Sequence, residues 1–147
     1  GTMPDYEVAA DPHNRLGDAE GRIYGGNIAV LSGLLSTPFN LLRKDHILFI
    51  EDIDEAIYSI ERMLYHLRLN GTLASTRALI VGQFTEYKPS KDFDNMYDMV
   101  QRMVADYDFP VAYNFPVGHV DYNLPIIEGA NARLVVTPDK VRLTLSK

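Results

Sequence analysis

Two unbroken apolar runs of strand length, Ile47-Leu48-Phe49-Ile50 and Ala78-Leu79-Ile80-Val81, restrict this chain more than any other feature. A strand that is apolar at every position has no face to turn toward water, so both its faces must be covered, as in a sheet layered with helices. Between the runs, Ile57, Ile60, Met63, Leu64 and Leu67 recur at three- and four-residue spacing, forming the stripe of an amphipathic helix over roughly 55–69. Asp54 is its expected N-cap, and Asn70-Gly71 ends it with a left-handed glycine. The strand-helix alternation continues with a second strand over 78–84, a second helix over roughly 92–106 carrying Phe93, Met96, Met99, Val100 and Met103, and a third strand over 111–115.

The flanks differ from this centre. Upstream, Arg22-Ile23-Tyr24 reads as a short strand and Gly25-Gly26-Asn27 as a tight turn, with Asn27 capping a short buried helix from Ile28. Downstream, Ala-Arg-Leu-Val-Val-Thr and Lys-Val-Arg-Leu-Thr-Leu-Ser are joined by Pro138-Asp139, and the second alternates apolar and polar residues, as one-face-exposed antiparallel strands do. Residues 1–20 are polar and turn-rich and read as a lead-in or interdomain linker, leaving 21–147 as one domain. The fold class expected is α/β, with a mixed, partly parallel sheet, flanking helices and a C-terminal antiparallel hairpin.

Composition narrows the function. The net charge of −6 gives no electrostatic footprint for nucleic acid or an anionic membrane. No apolar stretch approaches the ~20 residues of a membrane span. The absence of cysteine removes a disulfide framework, thiolate zinc sites and a Cys nucleophile. The opening Gly-Thr-Met has neither the basic nor the apolar region of a signal peptide.

Polar groups at strand ends are the chemical candidates, because ligands of open α/β sheets bind beyond the carboxyl ends of parallel strands. Glu51 and Asp52 close the first long run, and Gly118-His119 follows the third strand. A carboxylate bonded to one imidazole nitrogen fixes the tautomer and leaves the other nitrogen free to take a proton from a serine hydroxyl. Glu51 with His119 would thus be two thirds of a hydrolytic triad. None of Ser32, Ser36, Ser59, Ser75, Ser90 and Ser146 stands in a nucleophile elbow. Taken singly, Glu51 also reads as a strand-end carboxylate that caps a helix or pairs with a lysine, and His119 as a loop histidine. Asp121 and Glu128 near His119 match no established metal-ligand spacing. His13, His46 and His66 carry no assigned role.

Several ordered segments together resemble the LD-carboxypeptidases of the serine peptidase S66 group, which includes the microcin-resistance peptidases: Gly-Arg-Ile-Tyr-Gly-Gly-Asn, Ile-Leu-Phe-Ile-Glu-Asp, Ala-Leu-Ile-Val-Gly-Gln-Phe, Phe-Pro-Val-Gly-His, and Asn-Leu-Pro-Ile-Ile-Glu-Gly-Ala-Asn-Ala-Arg-Leu. The resemblance implies a C-terminal domain of swivelling β/β/α type, with Glu51 and His119 as catalytic residues and Asn27 and Gly26 on the substrate side, while Asp52 is structural. It implies no cofactor and no metal. The nucleophilic serine and the oxyanion donors belong to an N-terminal domain that this chain lacks, so the chain alone is expected to be inactive. The family cleaves terminal D-alanine from murein tetrapeptide during cell-wall recycling in the cytoplasm, so the partners implied are the murein peptide, the chain's own N-terminal domain and, since the family pairs, a second copy. The competing expectation is a non-catalytic binding or regulatory module derived from that family; an independent metal-assisted hydrolase comes third.

Overall fold

In the computed structural model, residues 3–34, 45–52, 55–84, 87–116 and 126–147 are described. The elements are β1 (Asp5–Ala9), β2 (Gly17–Asn27), α1 (Ile28–Leu34), β3 (His46–Glu51), α2 (Ile57–Leu69), β4 (Thr76–Gly82), α3 (Met96–Met103), β5 (Val111–Phe115), β6 (Asn131–Val136) and β7 (Lys140–Ser146). The strands form one sheet in the order β1-β7-β6-β2-β3-β4-β5. β2 through β5 run parallel, as the apolar runs require, and β6, β7 and β1 are antiparallel.

β2 joins the two halves. Its first part, Gly17–Arg22, pairs with β6, and its second, Arg22–Asn27, pairs with β3. The sheet curls there. Leu134, Val141 and Leu143 of the antiparallel half share one buried cluster with Ile47, Phe49 and Ile80 of the parallel half. The opposite face of the parallel strands, with Leu48, Ile50, Leu79 and Val81, packs against the apolar stripes of α1, α2 and α3. Antiparallel layer, parallel layer and helices thus make the β/β/α arrangement. Each fully buried Ile or Leu contributes about 1.5–3 kcal/mol, so the fold rests on these two clusters.

Several elements differ from the sequence reading. Residues 1–20 hold β1 and the start of β2. β1 is an edge strand on β7 whose Tyr6 and Val8 pack inward while Asp5, Glu7 and Ala9 face water, a one-sided alternation in which polar residues predominate. Gly25-Gly26-Asn27 is the end of β2, not a turn. A Cβ on Gly25 would lie 1.9 Å from the Phe49 carbonyl oxygen, so glycine there lets β2 and β3 approach each other. α2 begins at Ile57 with Ala56 at its N-cap position and no side-chain cap, while Asp54 lies outside the described residues. α3 begins at Met96 because the Asn95 side chain accepts hydrogen bonds from the Tyr97 and Asp98 amides. Gly71 has the left-handed φ of +85° expected after α2.

Candidate active site

The carboxyl ends of the parallel strands bring together Asn27 on β2, Glu51 on β3 and Gly82 on β4. Asn27 and Glu51 are register partners, and Glu51 stands one residue beyond the last β3–β4 pair, Ile50 with Val81. The alternation that buries Ile47 and Phe49 puts Glu51 on that same face of the sheet. Glu51 is 7% exposed and Asp52 is 4% exposed. The apolar run of β3 is therefore a rigid mount that carries two carboxylates to the end of the buried layer.

Asp52 has a clear local task. Its Oδ1 accepts a hydrogen bond from Asn27 Nδ2 at 2.9 Å, and its Oδ2 accepts one from the Ala29 amide at 3.3 Å. The Asn27 Oδ1 accepts from the Val30 amide at 3.1 Å, the N-cap bond expected from the sequence. Asn27 and Asp52 thus close the first turn of α1 and tie it to the end of β3. Among the described residues these bonds engage one amide hydrogen and one lone pair of Asn27. Beside it, Gly26 has a φ of +135°, and a Cβ there would meet no heavy atom within 4 Å among the described residues, so the backbone of β2 is open at this point.

Two further features shape the strand ends, and sequence reasoning did not find them. The Tyr97 hydroxyl donates to the Gly82 carbonyl at 3.0 Å. Burial, aided by the charge of Asp11, pushes the Tyr97 phenol up to about 12, so it remains a donor at neutral pH. The β4–β5 register slips between Ile80 and Gly82, and Asn114 in β5 has a φ of +58°. That is a bulge at a residue type that tolerates the left-handed region, just before the chain leaves the sheet. An Asn inside an apolar run was the available signal.

Gly118, His119 and Asp121 lie outside the described residues, as does Ser36. Among the described serines, Ser59 is buried within α2, and Ser146 ends β7. Ser75 Oγ donates to the Gly71 carbonyl. Ser90 Oγ accepts from the Phe93 amide, folding its own loop. None stands at a strand-to-helix elbow. Glu128 Oε1 accepts from the Gly25 amide at 3.2 Å. No group of three or more His, Asp or Glu among the described residues is placed to hold a metal, and none of the described helices is long and apolar enough to cross a membrane.

A mixed, curled sheet with helices on one face and buried carboxylates at its parallel strand ends defines a class of β/β/α domains. Within that class, the sequence model of the LD-carboxypeptidase C-terminal domain matches residues 20–134, and the chain belongs to this family. It is 34% identical over 122 residues to a Bacillus subtilis protein named "probable murein peptide carboxypeptidase", a match covering 80% of this chain and 38% of that protein. It is 27% identical over 133 residues to the Escherichia coli microcin C7 self-immunity protein MccF, covering 89% of this chain and 38% of that protein. The crystal structure of muramoyltetrapeptide carboxypeptidase from Oxalobacter formigenes superposes with a TM-score of 0.89 at 29% identity, covering 100% of this chain and 51% of that one. The chain thus spans less than half the length of these curated relatives and is the C-terminal domain of an LD-carboxypeptidase-family protein.

Proposed function

We propose that this domain supplies the Glu and His of a Ser-Glu-His triad to a serine-type L,D-carboxypeptidase that removes terminal D-alanine from murein tetrapeptide. The observation that carries the reading is the placement of Glu51, buried at the end of β3 and registered beside Asn27, in a chain whose family match spans 20–134. In this reading Glu51 accepts a hydrogen bond from one nitrogen of His119 and stabilises the imidazolium, while the other nitrogen takes the proton of a serine held by the N-terminal half. Gly26 leaves room for substrate to pass the end of β2, and Asn27 offers its second amide hydrogen to the peptide.

The chain alone then lacks the nucleophile and the oxyanion donors, and it does not hydrolyse peptide. Its partners are its own N-terminal domain, the murein peptide and a second copy of the protein, and its compartment is the cytoplasm, where murein peptides are recycled. This chain spans 38% of the two curated relatives, and a length of that order leaves room for a further half to carry the serine.

The test is D-alanine release from murein tetrapeptide, read by mass spectrometry. This chain alone is expected to release none. The full-length protein is expected to release it, and Glu51→Gln and His119→Ala in that protein are each expected to lower kcat by about 10³-fold or more. Release by the isolated chain, abolished by His119→Ala, would place a complete site within these residues and overturn the half-site reading.

A further inference from the structure

The segment between β1 and β2 carries a side-chain cluster that the proposed active site does not use. His13 has a carboxylate on each ring nitrogen: Nδ1 lies 2.9 Å from Asp11 Oδ1, and Nε2 lies 2.9 Å from Asp98 Oδ1. A neutral imidazole has one N–H and one lone pair, so it can donate to one of these carboxylates but not to both; only the imidazolium satisfies the pair. We propose that His13 is a protonation-controlled clasp that fastens residues 11–15 across α3 and the edge strand β5.

The fastening is extensive. The Arg15 amide donates to the Val111 carbonyl and the Val111 amide to the Arg15 carbonyl, each at 3.0 Å, so the segment adds a short antiparallel rung to the edge of β5. The Tyr113 amide donates to Asn14 Oδ1 at 2.7 Å. On α3, Gln101 Nε2 donates to the His13 carbonyl at 2.9 Å. These bonds hold in place a loop that would otherwise leave the β5 edge open, and His13 lies among them.

Among the described residues, five groups face the imidazole. Asp11 comes from its own segment, and Asp98, Tyr97 and Gln101 come from α3. Tyr113 comes from β5, its ring centroid 5.7 Å away. The cation of the segment, Arg15, donates to the Phe109 and Val104 carbonyls. Burial pushes the phenols of Tyr97 and Tyr113 well above neutrality, so neither competes for the proton. Burial also lowers the His13 pKa, but hydrogen bonds to Asp11 and Asp98 and their charges outweigh it, and the net shift is upward from 6.5. A folded-state pKa above the unfolded one gives a contribution that is complete below 6.5 and is lost as pH rises through the raised value.

Side-chain NMR titration of His13, with amide exchange followed in the same samples, tests the clasp. The expected result is a His13 pKa above 6.5, with protection at the Arg15, Val111 and Tyr113 amides falling about tenfold relative to Ile80 as the proton is lost. His13→Gln is expected to hold those amides at the weakly protected level at every pH. Asp98→Asn changes an exposed residue and is expected to lower the His13 pKa with the fold intact. A His13 pKa at or below 6.5, protection that does not change with pH in the wild type, or a pKa indifferent to Asp98→Asn would each overturn the proposal.

Discussion

Asn27 serves two structural partners at once, and that makes it the most informative single residue. Its oxygen accepts the Val30 amide and its nitrogen donates to Asp52. Asn27→Asp keeps the capping oxygen but sets a carboxylate against Asp52, with Glu51 next in register. Two carboxylates in one buried place resist joint ionisation. The variant is therefore expected to lose about 2 kcal/mol at neutral pH and to regain much of it on acidification, as one carboxyl takes a proton. Urea unfolding at several pH values reads this directly; a loss that does not depend on pH would mean that the Asn27–Asp52 bond is not what ties α1 to β3. Gly25→Ala probes the same corner through sterics. Its Cβ would meet the Phe49 ring and, closer still, the Phe49 carbonyl group, which cannot swing aside as a side chain can, so β2 and β3 must part, at an expected loss of about 2–4 kcal/mol in the same unfolding measurement. The position of Glu51 was legible at this scale, because an apolar run of strand length must be covered on both faces and its end is marked by the first acid; its chemical role was not, since a strand-end carboxylate reads equally as a helix cap or a lysine partner. Asp52 was expected to be structural, but its partners were not legible, because they lie 23 and 25 residues back in the chain, where only the β2–β3 pairing brings them close.

At the scale of elements, α3 shows how a helix start is set by a side chain more than by an apolar stripe. The stripe of Phe93, Met96, Met99, Val100 and Met103 reads as a helix from about residue 92, yet the helix begins only after Asn95, whose side chain satisfies two otherwise orphaned amides. Asn95→Ala is expected to destabilise the domain by about 1 kcal/mol, with Asn95→Asp retaining most of the wild-type stability, as thermal unfolding would show. The buried strands were legible from their unbroken apolar runs, and the C-terminal hairpin from its alternation and its Pro-Asp turn. The length of β2 was not legible. Its first half faces water on one side and is rich in Asp, Glu and Gly, and its last three residues look like a turn because the glycines that allow close pairing with β3 are the residues that elsewhere permit reversal. The bulge at Asn114 left residue type as its signal and nothing in the spacing, since a local slip in register follows from the neighbouring strand and leaves no mark on periodicity.

At the scale of the molecule, the stretch that reads as a lead-in completes the sheet. β1 covers the outer edge of β7 over five register pairs, Asp5 with Thr144 through Ala9 with Lys140, and Tyr6 and Val8 extend the cluster between the two halves of the curled sheet. On the outer face of the same strands, Asp5 meets Arg142, and Glu7 meets Lys140. A chain starting at Asp11 would lose the strand and keep the His13 clasp. Removing two partly buried side chains is expected to lower stability by about 2–3 kcal/mol. Removing the strand also leaves the β7 edge with unpaired amides and carbonyls, an invitation to pair with another copy. The truncated chain is therefore expected to unfold at lower urea and to show concentration-dependent association in sedimentation velocity, while the full 147-residue chain serves as the reference. A tether would behave otherwise: its removal would leave both the urea midpoint and the sedimentation coefficient distribution unchanged. That outcome would reduce β1 to a strand in contact with the sheet but contributing nothing to its closure, and the curl at β2 would have to be held by β6, β7 and the Arg15–Val111 rung alone.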